Sequence, residues 1–394
     1  MLNEMYRRML AHKSVIRETA AYGHQRAAEI GYENVFDYSL GNPSVPCPPA
    51  FTQTMEDLLA HEDPVALHGY CPNQGDPGFR TAAAAHLKKV FGLPYEQKDI
   101  FPATGAAGAI AHALRVVTVP GDEVLTFAPY FPEYGPYVAG TGAALKVVPP
   151  QAPAFQPNLE AFEAMLTPSV TAVLINTPNN PSGVVYSAET LTRMAEILTE
   201  KSKAYGHVIY LISDEPYRDI VFDGKTVPYP ASFYPHTLTC FSFSKSLSLP
   251  GERLGYVAVA PGCEGADVLV DMMVQISRFT GHNCPPSIIQ KAAARCLEVT
   301  SDLSVYQTNM DILYDALKNL GFAVERPGGT FYIFPKALEA DANAFCRKAR
   351  EFDLLLVPSD TFGVQGYVRL AYCIETEKVR RSLPALERLA AAYQ

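Results

Sequence analysis

The chain has 394 residues, 48% hydrophobic against 19% charged, which excludes a disordered chain and makes a large domain joined to a smaller one the expected organisation. A formal net charge of −9 offers no basic field for nucleic acid or an anionic membrane, so the expected partner is a small molecule. The eight cysteines lack a CxxC pair or a disulfide-like spacing, which predicts reduced thiols and a cytoplasmic location, and the nine histidines form no ligand-spaced cluster, which predicts no metal site.

The N-terminal stretch MLNEMYRRMLAHKSVIRETAAYGHQRAAEIG carries charges throughout and has no apolar signal core, and no later run reaches the roughly 18 to 20 apolar residues of a membrane span. Neither export nor membrane insertion is expected. A turn-rich loop, GNPSVPCPP, follows at residues 41–49. From about residue 95 to 260 the short β-rich runs EVLTF, ALKVV, TAVLIN, VIYLIS, TLTCF and YVAVA alternate with amphipathic stretches such as AETLTRMAEILTEKSKAYG. That alternation predicts crossover units and an α/β domain with a mostly parallel sheet covered on both faces. A helical passage from about 264 to 320, closed by Gly321 as a C-cap, precedes FAVERP, GTFYIFP, LLLVP and YVRLAY, which with the helices between them predict a smaller α+β unit joined by the N-terminal segment. The expected division is 46–285 for the large domain and 1–45 with 286–394 for the small one.

Three stretches carry chemistry. In ATGAAGAIAHAL (103–114), small residues let a helix N-terminus bring bare backbone N–H groups against a phosphate, although they equally suit a close-packed helix start. In LISDEPYRD an apolar strand ends on Asp214, whose carboxylate needs either a cationic partner or a capping role; a protonated pyridine nitrogen is one such partner. Tyr217, three residues on, is placed either to bond a phenolate oxygen of the same ring or simply to pack. In SFSKSLSLPGERLG, Lys245 sits among small and apolar residues directly after TLTCF. A desolvated lysine has a lowered pKa, and its neutral amine condenses with aldehydes, whereas the plainer reading is a surface lysine in a loop. Ser242 and Ser244 add hydroxyls and Arg253 adds a fork suited to phosphate. Aldehyde, pyridinium and phosphate converge on one ligand, pyridoxal 5′-phosphate.

Together with GNPSVP (41–46), YCPNQGDPGFR (70–80), NNPSG (179–183), SDEPY (213–217) and YVRLAY (367–372), these stretches resemble, over nearly the whole chain, the class I/II aminotransferases of fold type I. The resemblance implies a large domain built on a mostly parallel seven-stranded sheet flanked by helices, with a smaller α+β domain. It implies that Lys245 holds the cofactor and then serves as acid and base, that Asp214 keeps the ring nitrogen protonated, and that Asn180 and Tyr217 bond the ring's 3′ oxygen. Phe131 would stack on the ring. Gly105, Ala106 and Ala107 through their backbone, with Ser242 and Arg253, would hold the phosphate. Tyr70 matches a tyrosine that reaches the partner's phosphate across a homodimer interface. Arg369, with Gly41 and Asn180, would grip the substrate α-carboxylate; two-residue periodicity puts Tyr367, Arg369 and Ala371 on one face and Val368 and Leu370 toward the core. Arg278 lies near the place where dicarboxylate-specific relatives keep a second arginine, or is a surface arginine at a helix end. The implied activity is ping-pong transfer from an L-amino acid, aspartate first and aromatic or other neutral donors next, to a 2-oxo acid such as 2-oxoglutarate. A carbon–sulfur β-lyase or a decarboxylase on the same scaffold is the alternative. A non-enzymatic regulator sensing the cofactor ranks below both, because only about 40 residues precede Gly41 and they contain no basic recognition helix.

Overall fold

Seven strands between residues 100 and 259 form one sheet: β1 (Ile100–Ala103), β2 (Glu123–Phe127), β3 (Ala144–Val148), β4 (Val170–Asn176), β5 (Tyr210–Asp214), β6 (Thr237–Ser242) and β7 (Gly255–Val259). In this computed structural model, which describes residues 2, 4–10 and 14–394, the strand order is β1-β7-β6-β5-β4-β2-β3, and β7 alone runs opposite to the other six. Positions 1, 3 and 11–13 of the expected N-terminal segment lie outside the described residues. The central strands are apolar along their whole length because helices cover both faces; Val173, Leu174, Ile212 and Leu238 are all fully buried. Six strands fall on the six β-rich runs. The seventh, β1, was not among them: it reads IFPA, and its Pro102 is tolerated because β1 is an edge strand paired on one side only.

The long crossover helix Ala188–Tyr205 shows how local chemistry sets the boundaries. The Ser187 hydroxyl accepts from the Thr190 N–H at its start, and Gly206 ends it in the left-handed conformation at φ 75°.

The helical passage resolves into three helices, Ala266–Thr280, Ser287–Ala294 and Ser304–Asn319. Gly321 follows the last of them at φ 86°, in the position that the C-terminal glycine of a helix takes. Helix Ser287–Ala294 packs on Pro49–His61 and Pro77–Phe91, in a core with Phe51, Phe79 and Leu87 beside the sheet. The C-terminal elements form a separate core in which Phe36, Tyr38 and Val45 from the N-terminal segment meet Tyr306, Phe331, Phe345 and Leu370. Two small sheets lie here: Phe36–Asp37 pairs parallel with Leu354–Leu355, and Val368–Ala371 sits between Val357–Pro358 and Tyr332–Ile333 in antiparallel pairing. FAVERP forms no strand. All four residues of Val368–Ala371 are buried, so the face carrying Arg369 is closed as well as the face carrying Val368 and Leu370. Among the described residues no helix is long and apolar enough to cross a membrane, and no group of His, Cys, Asp or Glu is placed to hold a metal ion.

Candidate active site

Strands β4, β5 and β6 are parallel neighbours, so their carboxyl ends open on one crevice. The register sets Asn176 at the end of β4 beside Asp214 at the end of β5. Strand β6 ends on Ser242, whose hydroxyl caps the short helix Phe243–Ser246 by accepting from the Ser244 N–H at 3.2 Å, and that helix carries Lys245. Across the sheet, Ser242 and Ala103 both face Gly255 on β7, so the first turn of helix Gly105–Val117 arrives at the same place. A Cβ on Gly255 would collide with the carbonyl of Phe241 and the backbone of Gly105, which is why a glycine stands there.

A cavity of about 300 Å³ lies over these strand ends. It brings together Gly41, Ala106, Ala107, Phe131, Asn180, Asp214, Tyr217, Ser242, Lys245, Arg253 and Arg369, eleven of the positions expected from sequence. Gly105 is not in the lining, although a Cβ there would press on the Arg253 guanidinium. Two expected positions lie apart from the cavity of this chain. Tyr70 is fully exposed, and Arg278, in the last turn of helix Ala266–Thr280, is exposed with its Nη1 donating to Gln275 Oε1 at 2.8 Å.

The electrostatics of the cavity are unusual for a protein interior. Lys245 Nζ donates to the Gly41 carbonyl at 2.7 Å, and burial, reinforced by the charges of Arg369 and Arg253, pulls its pKa down to about 8. Asp214 is pushed up to about 7 by burial; a 2.6 Å hydrogen bond from the Tyr134 hydroxyl to Oδ2 opposes the shift, while the charge of Glu215 adds to it. Its other oxygen, Oδ1, is buried with no protein partner. Arg369 is 2% exposed; Nη1 donates to Asn180 Oδ1 at 3.1 Å, Nη2 donates to the Ser39 carbonyl, and the buried Nε has no partner. Among the described residues neither Asp214 nor Arg369 forms an ion pair, although each is buried and each faces the cavity. Arg253 bridges the Pro250 and Thr104 carbonyls through Nη1 at 2.8 Å and Nη2 at 3.2 Å, at the mouth of the helix that begins at Gly105.

Residues 33–386 match the family model of aminotransferase class I and II. The chain belongs to that family. It is an aminotransferase, a transferase of the pyridoxal-phosphate-dependent kind, on the fold type I scaffold. The crystal structure of an amino transferase from Eubacterium rectale is 42% identical and superposes with a TM-score of 0.97 over 100% of this chain and 99% of that one. Aspartate aminotransferase from Thermus thermophilus, solved with maleate, is 25% identical with a TM-score of 0.87 over 99% of each chain. Aromatic-amino-acid aminotransferase 2 of Thermococcus litoralis is 29% identical over 376 residues, 91% of this chain and 92% of that protein.

Several residues of the aminotransferase cavity escaped the sequence reading. Tyr134 bonds Asp214 from the helix Tyr134–Ala139. Asn176 donates through Nδ2 to the Asp214 backbone carbonyl at 2.8 Å and accepts through Oδ1 from the Asn180 N–H at 2.6 Å, so it holds both residues. Asn176 bore a readable signal, since it ends an apolar strand as Asp214 does. Tyr332, Tyr137 and Ile16 also line the cavity, from separate parts of the chain.

Proposed function

We propose that the chain transfers the amino group of an L-amino acid, aspartate first and aromatic or other neutral donors next, to a 2-oxo acid such as 2-oxoglutarate by a ping-pong mechanism, using pyridoxal 5′-phosphate. The observation that carries this reading is the pair of buried, uncompensated charges, Asp214 and Arg369, facing one cavity with a lysine whose pKa is lowered to about 8. A ligand carrying a cationic ring nitrogen and a substrate carrying a carboxylate supply what the two charges lack, and the donor set fits them.

Asp214 Oδ1 would take the ring nitrogen, Asn180 and Tyr217 the ring oxygen, and Phe131 the ring face. The N–H groups of Ala106 and Ala107, the first turn at Gly105, Ser242 and Arg253 would take the phosphate. When bound, the cofactor supplies an electron-poor ring able to hold the electron pair left on the substrate Cα. Arg369, with Gly41 and Asn180 beside it, binds and orients the α-carboxylate. Lys245, with a fraction of its amine neutral near pH 7, would hold the cofactor through its aldehyde, and its Nζ would carry the proton at the substrate Cα. The apolar side chains of Ile110 and Phe131 in the lining limit water at the reacting atoms.

The same reading makes the active enzyme a cytoplasmic homodimer in which Tyr70 reaches the partner's phosphate site. Eight free thiols support the reducing compartment. Exposed apolar rings at Tyr70 and Phe279, on a loop and a helix joined by a 3.5 Å bond from Gln74 Nε2 to Asp271 Oδ1, support the interface. In this reading a large domain runs from residue 46 and a small one takes 1–45 and the C-terminal part; the packing of helix Ser287–Ala294 in the core beside the sheet supports carrying the large domain past 285 to the end of that helix.

A single-turnover donor screen tests the reading: the visible absorbance of the cofactor-loaded enzyme bleaches with aspartate or a neutral donor and returns with 2-oxoglutarate. Release of ammonia and pyruvate, or of carbon dioxide, without an acceptor would replace transamination by elimination or decarboxylation. If Arg278 selects dicarboxylates across the dimer interface, Arg278→Ala raises KM for aspartate and glutamate roughly tenfold, a loss of about 1.4 kcal/mol, and leaves neutral donors unchanged. An equal effect on both donor classes removes that role.

A further inference from the structure

Tyr332 stands in the cavity without a part in the chemistry above. It lies on the strand Tyr332–Ile333, is 3% exposed, and has its N–H fixed by the Thr330 hydroxyl at 3.0 Å. Its hydroxyl is 3.1 Å from that of Tyr217, and the guanidinium carbon of Arg369 lies 4.6 Å from its ring centroid. Gly41 makes the room, since a Cβ at that position would overlap the Tyr332 hydroxyl oxygen. One side chain therefore touches both the residue assigned to the cofactor ring and the residue assigned to the substrate carboxylate.

Each phenol has a single proton to donate. Burial raises both hydroxyls above their ordinary pKa, so both stay protonated near neutrality. If Tyr217 gives its proton to the ring oxygen, the bond between the two tyrosines has to be made with the proton of Tyr332; the opposite direction leaves Tyr217 with nothing to donate. We propose that Tyr332 is a positioning residue that donates to Tyr217 Oη, which fixes Tyr217 as the donor to the cofactor ring oxygen, while its ring face holds the Arg369 guanidinium against the substrate carboxylate. The proposal rests on the cofactor and roles assigned under the proposed function. A hydrogen bond received by Tyr217 strengthens the one it gives, and a desolvated guanidinium gains from an aromatic face.

The test reads the pH midpoint of the visible absorbance change in enzyme loaded with pyridoxal 5′-phosphate. A donor to the ring oxygen stabilises the form with the more negative oxygen and lowers that midpoint. Tyr332→Phe therefore raises it, by about 0.3 pH unit for a cooperative strengthening of this size, and leaves the Kd of the non-reacting acid propionate within about twofold of wild type, because the ring remains. Tyr332→Leu raises the midpoint too and weakens propionate about fivefold or more, by loss of the ring face. In a Tyr217→Phe background, Tyr332→Phe adds no further shift. A midpoint unchanged in Tyr332→Phe, or a full shift persisting without the Tyr217 hydroxyl, overturns the proposal. Wild-type protein that gains no visible absorbance with the cofactor sinks the underlying reading, and this proposal with it.

Discussion

Lys245→Ala is expected to lose the visible absorbance of the lysine-bound cofactor and to cut turnover by about 10⁴-fold or more, since one substitution removes both the nucleophile and the proton carrier. The expectation rests on position. Nζ is 2.7 Å from the Gly41 carbonyl in the cavity that Arg369 and Asp214 also line, and among the described residues it forms no ion pair. Its lowered pKa also has a stability consequence. Between about 8 and the ordinary 10.5 the unfolded chain keeps the lysine proton and the native chain releases it, so the cofactor-free wild type gains stability as pH rises through that window. The alanine variant lacks the gain: its melting temperature exceeds that of wild type at pH 7, and the difference shrinks toward pH 10. Calorimetry of the two cofactor-free proteins measures it, and an absorption spectrum of the loaded variant identical to wild type would sink the assignment of Lys245.

Much of the fold was legible because period-two and all-apolar runs mark buried parallel strands whatever their neighbours. The failures have local causes. IFPA is short and contains proline, and only its place at the edge, against the antiparallel β7, makes it a strand. FAVERP has strand-like residues but pairs with no strand; Val324 is buried by packing in the C-terminal core instead. At YVRLAY the alternation set Ala371 beside Arg369 and away from the core, yet Ala371 shares the buried core with Val368 and Leu370, and burial of Arg369 depends on Tyr332 and Phe362, whose rings lie 4.6 and 5.2 Å from its guanidinium carbon and come from distant segments. Tyr134 and Tyr332 were illegible for the same reason: in a chain with 22 tyrosines, a residue matters through what the fold brings to its hydroxyl. Asp214 and Lys245 stood out because each is a charge in an apolar run, a local contradiction that only a ligand or a partner relieves.

That contradiction is measurable at Asp214. Asp214→Asn is expected to lower kcat by roughly 10² to 10³-fold, the scale of losing one preorganised electrostatic contact to the reacting system, and at the same time to stabilise the cofactor-free protein. Burial raises the folded pKa to about 7 from an ordinary 3.8, so between those values the native chain holds a proton that the unfolded chain has released. The contribution of Asp214 to the stability of the cofactor-free wild type is therefore greatest below about pH 4, falls as pH rises to about 7, and bears the full cost of a buried, half-satisfied carboxylate above that; three pKa units set an upper scale of about 4 kcal/mol. The asparagine escapes this cost while still accepting from Tyr134. Its melting temperature at pH 8 should exceed that of cofactor-free wild type, with the advantage gone by pH 4. Saturating pyridoxal 5′-phosphate should reverse the order, because the wild-type carboxylate then gains the cation it lacks and the amide does not. An asparagine variant less stable than wild type at every pH, with and without cofactor, would mean that the protein itself already compensates the charge of Asp214. Reversal on loading would mean that the site trades stability of the empty chain for a charge held ready for the ring nitrogen.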